Sequence, residues 1–259
     1  MSDAAIELEY ECEGDAGRPP LLLLHALGSS LAMWDTQVAA LAPHFHVVRY
    51  SMRGHGSSPF AGTPALDLHA LAHDACAVLD RLGIERAHWC GLSLGGMVAM
   101  HAASRFPGRV ARLALANTTA HFPTASAWSE RMALVRERGL APLADPTMTR
   151  WFTPDFHARE PGEVARIRQI FLGTDPAGYV AACAAIRDMD LRDELSRIRA
   201  PTLVLAGAAD ASLPVAHATD LQSGIAGARL LTLEAAHLSN IEARAAFTAA
   251  LLAHFGLSS

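Results

Sequence analysis

The pentapeptide Gly91-Leu92-Ser93-Leu94-Gly95 is the segment of the chain best suited to covalent chemistry. It follows a predicted strand at 87–90 and opens a predicted helix that continues from Met97. A serine on such a sharp strand-to-helix turn has an exposed hydroxyl, and the flanking glycines let the helix approach closely. The helix amino end directs its N–H groups at any oxyanion formed there. The motif predicts a nucleophilic serine; the alternative is a Gly/Ser turn without catalytic meaning.

A serine hydroxyl is a poor nucleophile until a base removes its proton. In strand–turn–helix sites of this kind, the nucleophile, acid and base follow in that order along the chain. Asp210 ends a loop after a predicted strand at 202–205, and His237 lies in a loop after another at 230–233. We therefore predict a triad of Ser93, Asp210 and His237. Taken singly, Asp210 could be a turn or helix-cap aspartate, and His237 an ordinary loop histidine.

Other acids fit the triad less well. Asp188, Asp190 and Asp193 precede the strand that should present the acid. Asn117 ends the strand after the nucleophile helix, so that position carries no carboxylate. Asp210 remains the favoured acid.

Two backbone amides are candidates for an oxyanion hole. The loop at 25–28 follows the first strongly apolar strand, and its Leu27 N–H can join the N–H of Leu94. The prediction rests on backbone position, so side-chain identity supports it only weakly.

For the other histidines considered, His55, His69 and His73, we favour structural roles. His69 and His73 are spaced i, i+4 on a predicted helix, but no third ligand lies nearby and H-E-x-x-H is absent. Two exposed helix histidines are the favoured interpretation, and His55 is expected to be a structural anchor. The sequence also lacks G-x-G-x-x-G and a phosphate loop. We expect neither a metal nor a cofactor.

Short apolar runs alternate with helical patterns along most of the chain. Runs without polar alternation fit a mostly parallel sheet that is covered by helices on both faces. Residues 6–12 alternate, as an antiparallel edge strand would. The predicted buried strands are 21–24, 47–50, 87–90, 113–116, 202–205 and 229–233, and the clearest helices are 68–82, 97–104 and 241–255.

Residues 120–195 interrupt this alternation. They are rich in Trp, Arg, Met and Pro, with helical patches and no convincing strand. We predict an all-helical cap over the carboxyl ends of the strands, where α/β sheets bind ligands. The core would comprise residues 1–119 and 196–259.

The composition of the chain excludes several classes of protein. The 259-residue chain is 51% hydrophobic and 18% charged, which excludes disorder, and its net charge of −5 includes no long basic run for nucleic acid binding. The apolar run at 19–24 ends at His25, far short of the about 18–20 residues of a spanning helix. With no visible signal peptide and four widely spaced cysteines, we expect a cytoplasmic protein with reduced thiols. The oligomeric state stays open.

Three motifs together resemble α/β-hydrolases with a helical cap, and the resemblance runs from about residue 6 to 255. They are Gly91–Gly96, Arg53-Gly54-His55-Gly56 and Ala236-His237-Leu238. Less generic segments are similar to 3-oxoadipate enol-lactonases of aromatic catabolism. These are Met33-Trp34-Asp35, Leu115-Ala116-Asn117-Thr118, Arg150-Trp151-Phe152-Thr153-Pro154, Gly178-Tyr179, Cys183–Asp188 and His237-Leu238-Ser239-Asn240.

The resemblance implies that Arg131 and Trp151 reach the substrate pocket from the cap. A solvated helix position near Glu130 is the alternative for Arg131. Such proteins usually carry an aspartate where this chain has Ser51, a change expected to deprive Arg53 or the oxyanion loop of a carboxylate partner.

The resemblance also implies the reaction, which is hydrolysis of a carboxylated enol-lactone through an acyl-enzyme, with a small-molecule substrate and no nucleic acid or membrane partner. The alternatives are a carboxylesterase, another lactonase or a C–C bond hydrolase of the same fold. A binding protein that has lost turnover is a further alternative, against which the intact Ser93, Asp210 and His237 argue.

Overall fold

A seven-stranded sheet forms the centre of the structure. The computed structural model describes residues 7–60 and 66–256; Ile6, the first residue of the predicted edge strand, lies outside them. The strand order is β1-β3-β2-β4-β5-β6-β7, with β1 antiparallel to β3 and all other neighbours parallel. The strands are β1 Tyr10–Glu13, β2 Pro20–Leu24, β3 His46–Tyr50, β4 Ala87–Leu92, β5 Val110–Ala116, β6 Thr202–Gly207 and β7 Arg229–Leu233. The predicted α/β class and the antiparallel edge strand are confirmed.

The central strands and the edge strand β7 differ in how deeply their residues are buried. Residues 21–24 of β2 are completely buried, as an apolar run in a doubly covered strand should be. The predicted burial of β7 is wrong, because most of its residues are exposed or half-buried and Leu231 is 41% exposed. Among the strands in residues 7–60 and 66–256, β7 pairs with β6 alone and has no neighbour on its other side.

Eleven α-helices lie in the described residues. The predicted helix at 241–255 is interrupted at Ala243, where φ −106° and ψ 40° depart from helical values. The helices are α1 Asp35–Leu41, α2 Leu68–Arg81, α3 Leu94–Arg105, α4 Ala125–Arg138, α5 Ala141–Trp151, α6 Pro154–Arg159, α7 Pro161–Leu172, α8 Pro176–Asp188, α9 Val215–Gly224, α10 Ser239–Glu242 and α11 Arg244–Phe255. None of them is long and apolar enough to cross a bilayer.

Five consecutive helices, α4 to α8, separate β5 from β6. The two ends of this helical segment lie side by side. The Leu191 N–H donates to the Ala120 carbonyl at 2.8 Å, and His121 and Asp190 form an antiparallel bridge. The first and last residues of the segment are therefore neighbours in space.

Helix α3 approaches the sheet so closely that side chains are excluded from the contact. A Cβ on Gly95 would lie 2.2 Å from the Leu24 carbonyl oxygen of β2, and one on Gly91 would lie 2.1 Å from the Gly95 carbonyl oxygen. Both obstacles are backbone atoms, which cannot rotate away. These two glycines therefore set the distance between α3 and the strands beneath it.

We expect Gly95→Ala to lower the free energy of unfolding by about 3 kcal/mol or more, because the new methyl group meets backbone. Urea denaturation of purified protein measures this. Gly162→Ala is the matched control, since a Cβ there meets nothing within 4 Å and alanine favours the helix. Equal stability of the two variants would show that α3 can move away from the sheet.

Candidate active site

Ser93 occupies a strained turn between β4 and α3. Its φ of 56° and ψ of −117° lie in a region that non-glycine residues rarely adopt. Backbone bonds hold the turn from both sides: the Ser93 N–H donates to Ala116 O at 2.9 Å, and the Gly95 N–H donates to His25 O at 3.0 Å. The turn lies where the strand order reverses between β2 and β4, at the carboxyl ends of both strands. Open α/β sheets bind ligands at this position.

His237 and Asp210 form a buried pair. The distance between His237 Nδ1 and Asp210 Oδ2 is 2.7 Å, and the Asp210 side chain has no exposed surface. Burial alone would raise the pKa of the Asp210 carboxyl. The neighbouring His237 and hydrogen bonds from His237, Asn117 and the Leu213 N–H outweigh burial and bring that pKa below its usual value. Asp210 is therefore an ionised acceptor that can orient the imidazole.

Asn117, at the end of β5, joins this pair to the histidine loop. Its Nδ2 donates to Asp210 Oδ2 at 2.9 Å and to Ala236 O at 3.3 Å, while its Oδ1 accepts from Ser239 Oγ at 2.6 Å. This bridging role was not predicted from the sequence, in which position 117 stood out only for lacking a carboxylate. Its φ of 44°, a conformation that asparagine tolerates, is consistent with a turn at the strand end. An asparagine directly after a predicted strand was the available signal.

A cavity of about 220 Å³ brings most of the predicted site residues together. Ser93 and His237 lie in its wall with Leu27, from the loop after β2. Leu94 has a fully buried side chain, and its amide begins α3, where N–H groups have no intrahelical partner. The cavity is lined by Ala26, Leu27, Ser93, Met97, Phe122, Trp128, Arg131, Arg150, Trp151, Tyr179, Ile186, Ser212, Leu213 and His237.

Arg131 of α4 lies in the cavity wall rather than in solvent near Glu130. Its Nε donates to the Tyr179 hydroxyl at 2.7 Å, and its guanidinium carbon is 5.8 Å from the centre of the Trp128 ring. Trp151, at the end of α5, lines the same cavity and is 6% exposed.

Arg150 is a second cation in the cavity wall that the sequence analysis did not identify. Its Nη2 and the Nη2 of Arg131 both approach the Thr147 hydroxyl oxygen, at 3.2 Å and 3.3 Å. Burial, and then the charge of Arg131, lower the pKa of Arg150. The protein hydrogen bonds of both guanidiniums, among the residues described, are made to hydroxyl oxygens and not to carboxylates. The wall therefore holds two positive charges without a counterion from this part of the chain.

Ser51 does not leave Arg53 without a carboxylate. Arg53 forms a two-pronged ion pair with Asp74 of α2, so the expected loss of its partner is wrong. The other half of the expectation concerned the loop after β2, where a hydroxyl and not a carboxylate is present: the Ser51 Oγ accepts from the Leu31 N–H at 3.1 Å. His55 is fully buried, as an anchor should be.

His69 and His73 are exposed on α2, as predicted. The nearest polar contact of His69 is with His101, at 3.4 Å between ring nitrogens. Within residues 7–60 and 66–256, no group of three or more His, Cys, Asp or Glu side chains could hold a metal ion.

Comparison with known proteins agrees with this architecture. A family model of the alpha/beta hydrolase fold matches residues 19–151. The chain is 39% identical to 3-oxoadipate enol-lactonase 2 of Acinetobacter baylyi, over 95% of this chain and 92% of that protein.

Two solved structures also match this chain over nearly its whole length. The crystal structure of the enol-lactonase from Burkholderia xenovorans LB400 superposes with a TM-score of 0.94 at 40% identity, covering 97% of each chain. A hydrolase from Pseudomonas aeruginosa PA01 gives a TM-score of 0.93 at 39% identity, covering 99% of this chain and 100% of that one. On the evidence of its strand order, its nucleophile turn and these relatives, the chain belongs to the α/β-hydrolase fold family and is similar to the 3-oxoadipate enol-lactonases within it.

Proposed function

We propose that this protein hydrolyses 3-oxoadipate enol-lactone, a lactone with a carboxylate side arm, to 3-oxoadipate. The observation that carries the proposal is the pair of arginines without counterions in the cavity that also contains Ser93 and His237. A guanidinium fork matches a carboxylate in two hydrogen bonds. The similarity to enol-lactonases supports the same substrate class.

The first half of the reaction forms an acyl-enzyme. His237, oriented by Asp210, takes the hydroxyl proton of Ser93, and Ser93 Oγ attacks the lactone carbonyl carbon. The amides of Leu27 and Leu94 stabilise the resulting oxyanion; loss of one such donor typically costs about 10²–10³ in rate. The ring C–O bond then breaks, and the imidazolium returns the proton to the departing enol oxygen.

The second half releases the product. The enol tautomerises to a ketone, which makes the ring-opening step favourable. His237 next takes a proton from water, the hydroxide attacks the acyl carbon, and Ser93 regains its proton as 3-oxoadipate leaves.

The helical segment supports the substrate-binding part of the proposal. We assign residues 120–195 as a cap on a core of residues 1–119 and 196–259, since the two ends of the segment contact each other. Arg131, Arg150 and Trp151 all come from this segment. The proposal places the enzyme in the cytoplasm, in agreement with its four free cysteines.

We expect Ser93→Ala to lower kcat/KM for the enol-lactone by at least about 10⁴-fold, because no other group replaces the nucleophile. Steady-state kinetics on the enol-lactone and on p-nitrophenyl acetate measures the loss. Ser129→Ala is the control, since Ser129 is exposed on α4. Activity that survives Ser93→Ala would contradict the nucleophile, and a wild-type protein active on the ester alone would contradict the substrate.

We expect Arg131→Gln and Arg150→Gln each to reduce the preference for a carboxylated lactone over a neutral lactone with the same ring. A hydrogen bond to a charged group contributes about 1.5–3 kcal/mol, so the ratio of the two kcat/KM values should fall about 10- to 100-fold. Arg168→Gln is the matched control: Arg168 is a cap arginine that already pairs with Asp145, at 2.7 Å. An unchanged ratio in both cavity variants would show that the carboxylate binds elsewhere.

A further inference from the structure

The loop that carries His237 is attached to the cap by a carboxylate outside the triad. Glu242, at the end of α10, accepts a hydrogen bond from the Ala236 N–H at 2.8 Å through Oε2. The same carboxylate accepts from the Thr153 N–H, at 3.3 Å to Oε1, and from the Thr153 hydroxyl. One half-buried side chain thus connects the residue before His237 to the segment between α5 and α6.

A second contact joins the same two segments on the other side of His237. The Leu238 N–H donates to the Trp151 carbonyl oxygen at 3.1 Å. Both residues that flank His237 in the chain are therefore connected, directly or through Glu242, to residues 151–153. Because α5 ends at Trp151 and carries Arg150 in its last turn, the histidine loop and the cavity wall of the cap share one set of hydrogen bonds.

The chemistry of these bonds requires a carboxylate. The side-chain partners of Glu242 among the described residues are N–H and O–H donors: Oε1 accepts from the Thr153 hydroxyl and N–H, and Oε2 accepts from the Ala236 N–H and, at 3.4 Å, from the Thr153 N–H. Glutamine offers one acceptor oxygen, and its amide nitrogen would place hydrogens against an N–H donor. An alanine would leave three donors without their acceptor.

We propose that Glu242 is a positioning residue that couples the imidazole of His237 to the substrate-binding end of α5. The inference rests on the proposed function, in which His237 is the base. Glu242 sets the loop backbone on one side of the imidazole, while Asp210 sets the ring through Nδ1. Thr153 and Glu242 thereby fix the position of the loop that carries the base relative to the end of α5.

Kinetics of Glu242→Gln, Thr153→Val and the double variant test the coupling. We expect each single variant to lower kcat per active site about 10- to 100-fold, as misplaced catalytic groups do, and to change KM less. The double variant should be no slower than the slower single variant, because both changes break one connection. Thr153→Ser keeps the hydroxyl and should recover most of the loss caused by Thr153→Val.

Two measurements separate positioning from a general loss of structure. Active sites are counted by stoichiometric labelling of Ser93 with a fluorophosphonate, and the labelling rate is recorded; a merely structural role would lower the count and leave kcat per site unchanged. Glu234→Gln is the matched control, since it removes the same charge from an exposed position in the same loop. Additive losses in the double variant, or an equal loss in Glu234→Gln, would overturn the proposal.

The design also separates this inference from the proposed function. Turnover of p-nitrophenyl acetate and the labelling rate report on His237 even if the enol-lactone is not the substrate. If the wild-type protein neither turns over the ester nor reacts with the fluorophosphonate, the proposed function fails. The coupling can then still be measured from the ring resonances of His237 in NMR spectra. These resonances are assigned by their absence from a His237→Asn variant. Their chemical shifts should change in Thr153→Val and remain unchanged in Glu234→Gln; unchanged shifts in Thr153→Val would overturn the coupling.

Discussion

The close contact of α3 with β2 and β4 is the constraint on which the rest of the site depends. Where Gly91 and Gly95 exclude side chains, the helix begins directly at the strand end, and the backbone can reach this geometry only through the positive φ of Ser93. Hydrogen bonds from the turn to His25 and Ala116 offset that strain. The sheet therefore holds the serine, its neighbouring amide and the loop after β2 in one fixed arrangement before any substrate arrives.

The acid and the base depend on a second fixed point, the amide side chain of Asn117. One strand end supplies donors to Asp210 and to the Ala236 carbonyl, and an acceptor to Ser239. Asp210 and the His237 loop follow β6 and β7, and the Ala209 N–H joins the two loops directly by donating to the Ala235 carbonyl oxygen at 3.0 Å. Asn117 connects both loops to a third strand end. A buried network in which every polar group is hydrogen-bonded is rigid. This network therefore fixes the distance between the Asp210 carboxylate and the His237 imidazole.

Local signals in the sequence predicted the elements, because each depends on a few adjacent residues. The apolar runs located the strands, and the flanking glycines located the turn at Ser93. The functions of Asn117, Arg150 and Glu242 could not be predicted in this way, since their partners lie far along the chain and meet them only in the folded protein. The exposure of β7 could not be predicted for the same reason, because an apolar run does not indicate whether its strand has neighbours on both sides. The ion pair of Arg53 with Asp74 likewise crosses between two elements.

The two cavity arginines reconcile an acidic protein with an anionic substrate. The net charge of −5 is spread over the molecule, and at physiological salt its field is screened within about 8 Å. Arg131 and Arg150 lie in the wall of the cavity that contains Ser93 and His237, where screening by salt is weaker. Burial, and then the charge of Arg131, disfavour the charged form of Arg150 and lower its pKa. Under the proposed function, a bound carboxylate would compensate both charges, so the cavity would favour a charged lactone over a neutral one.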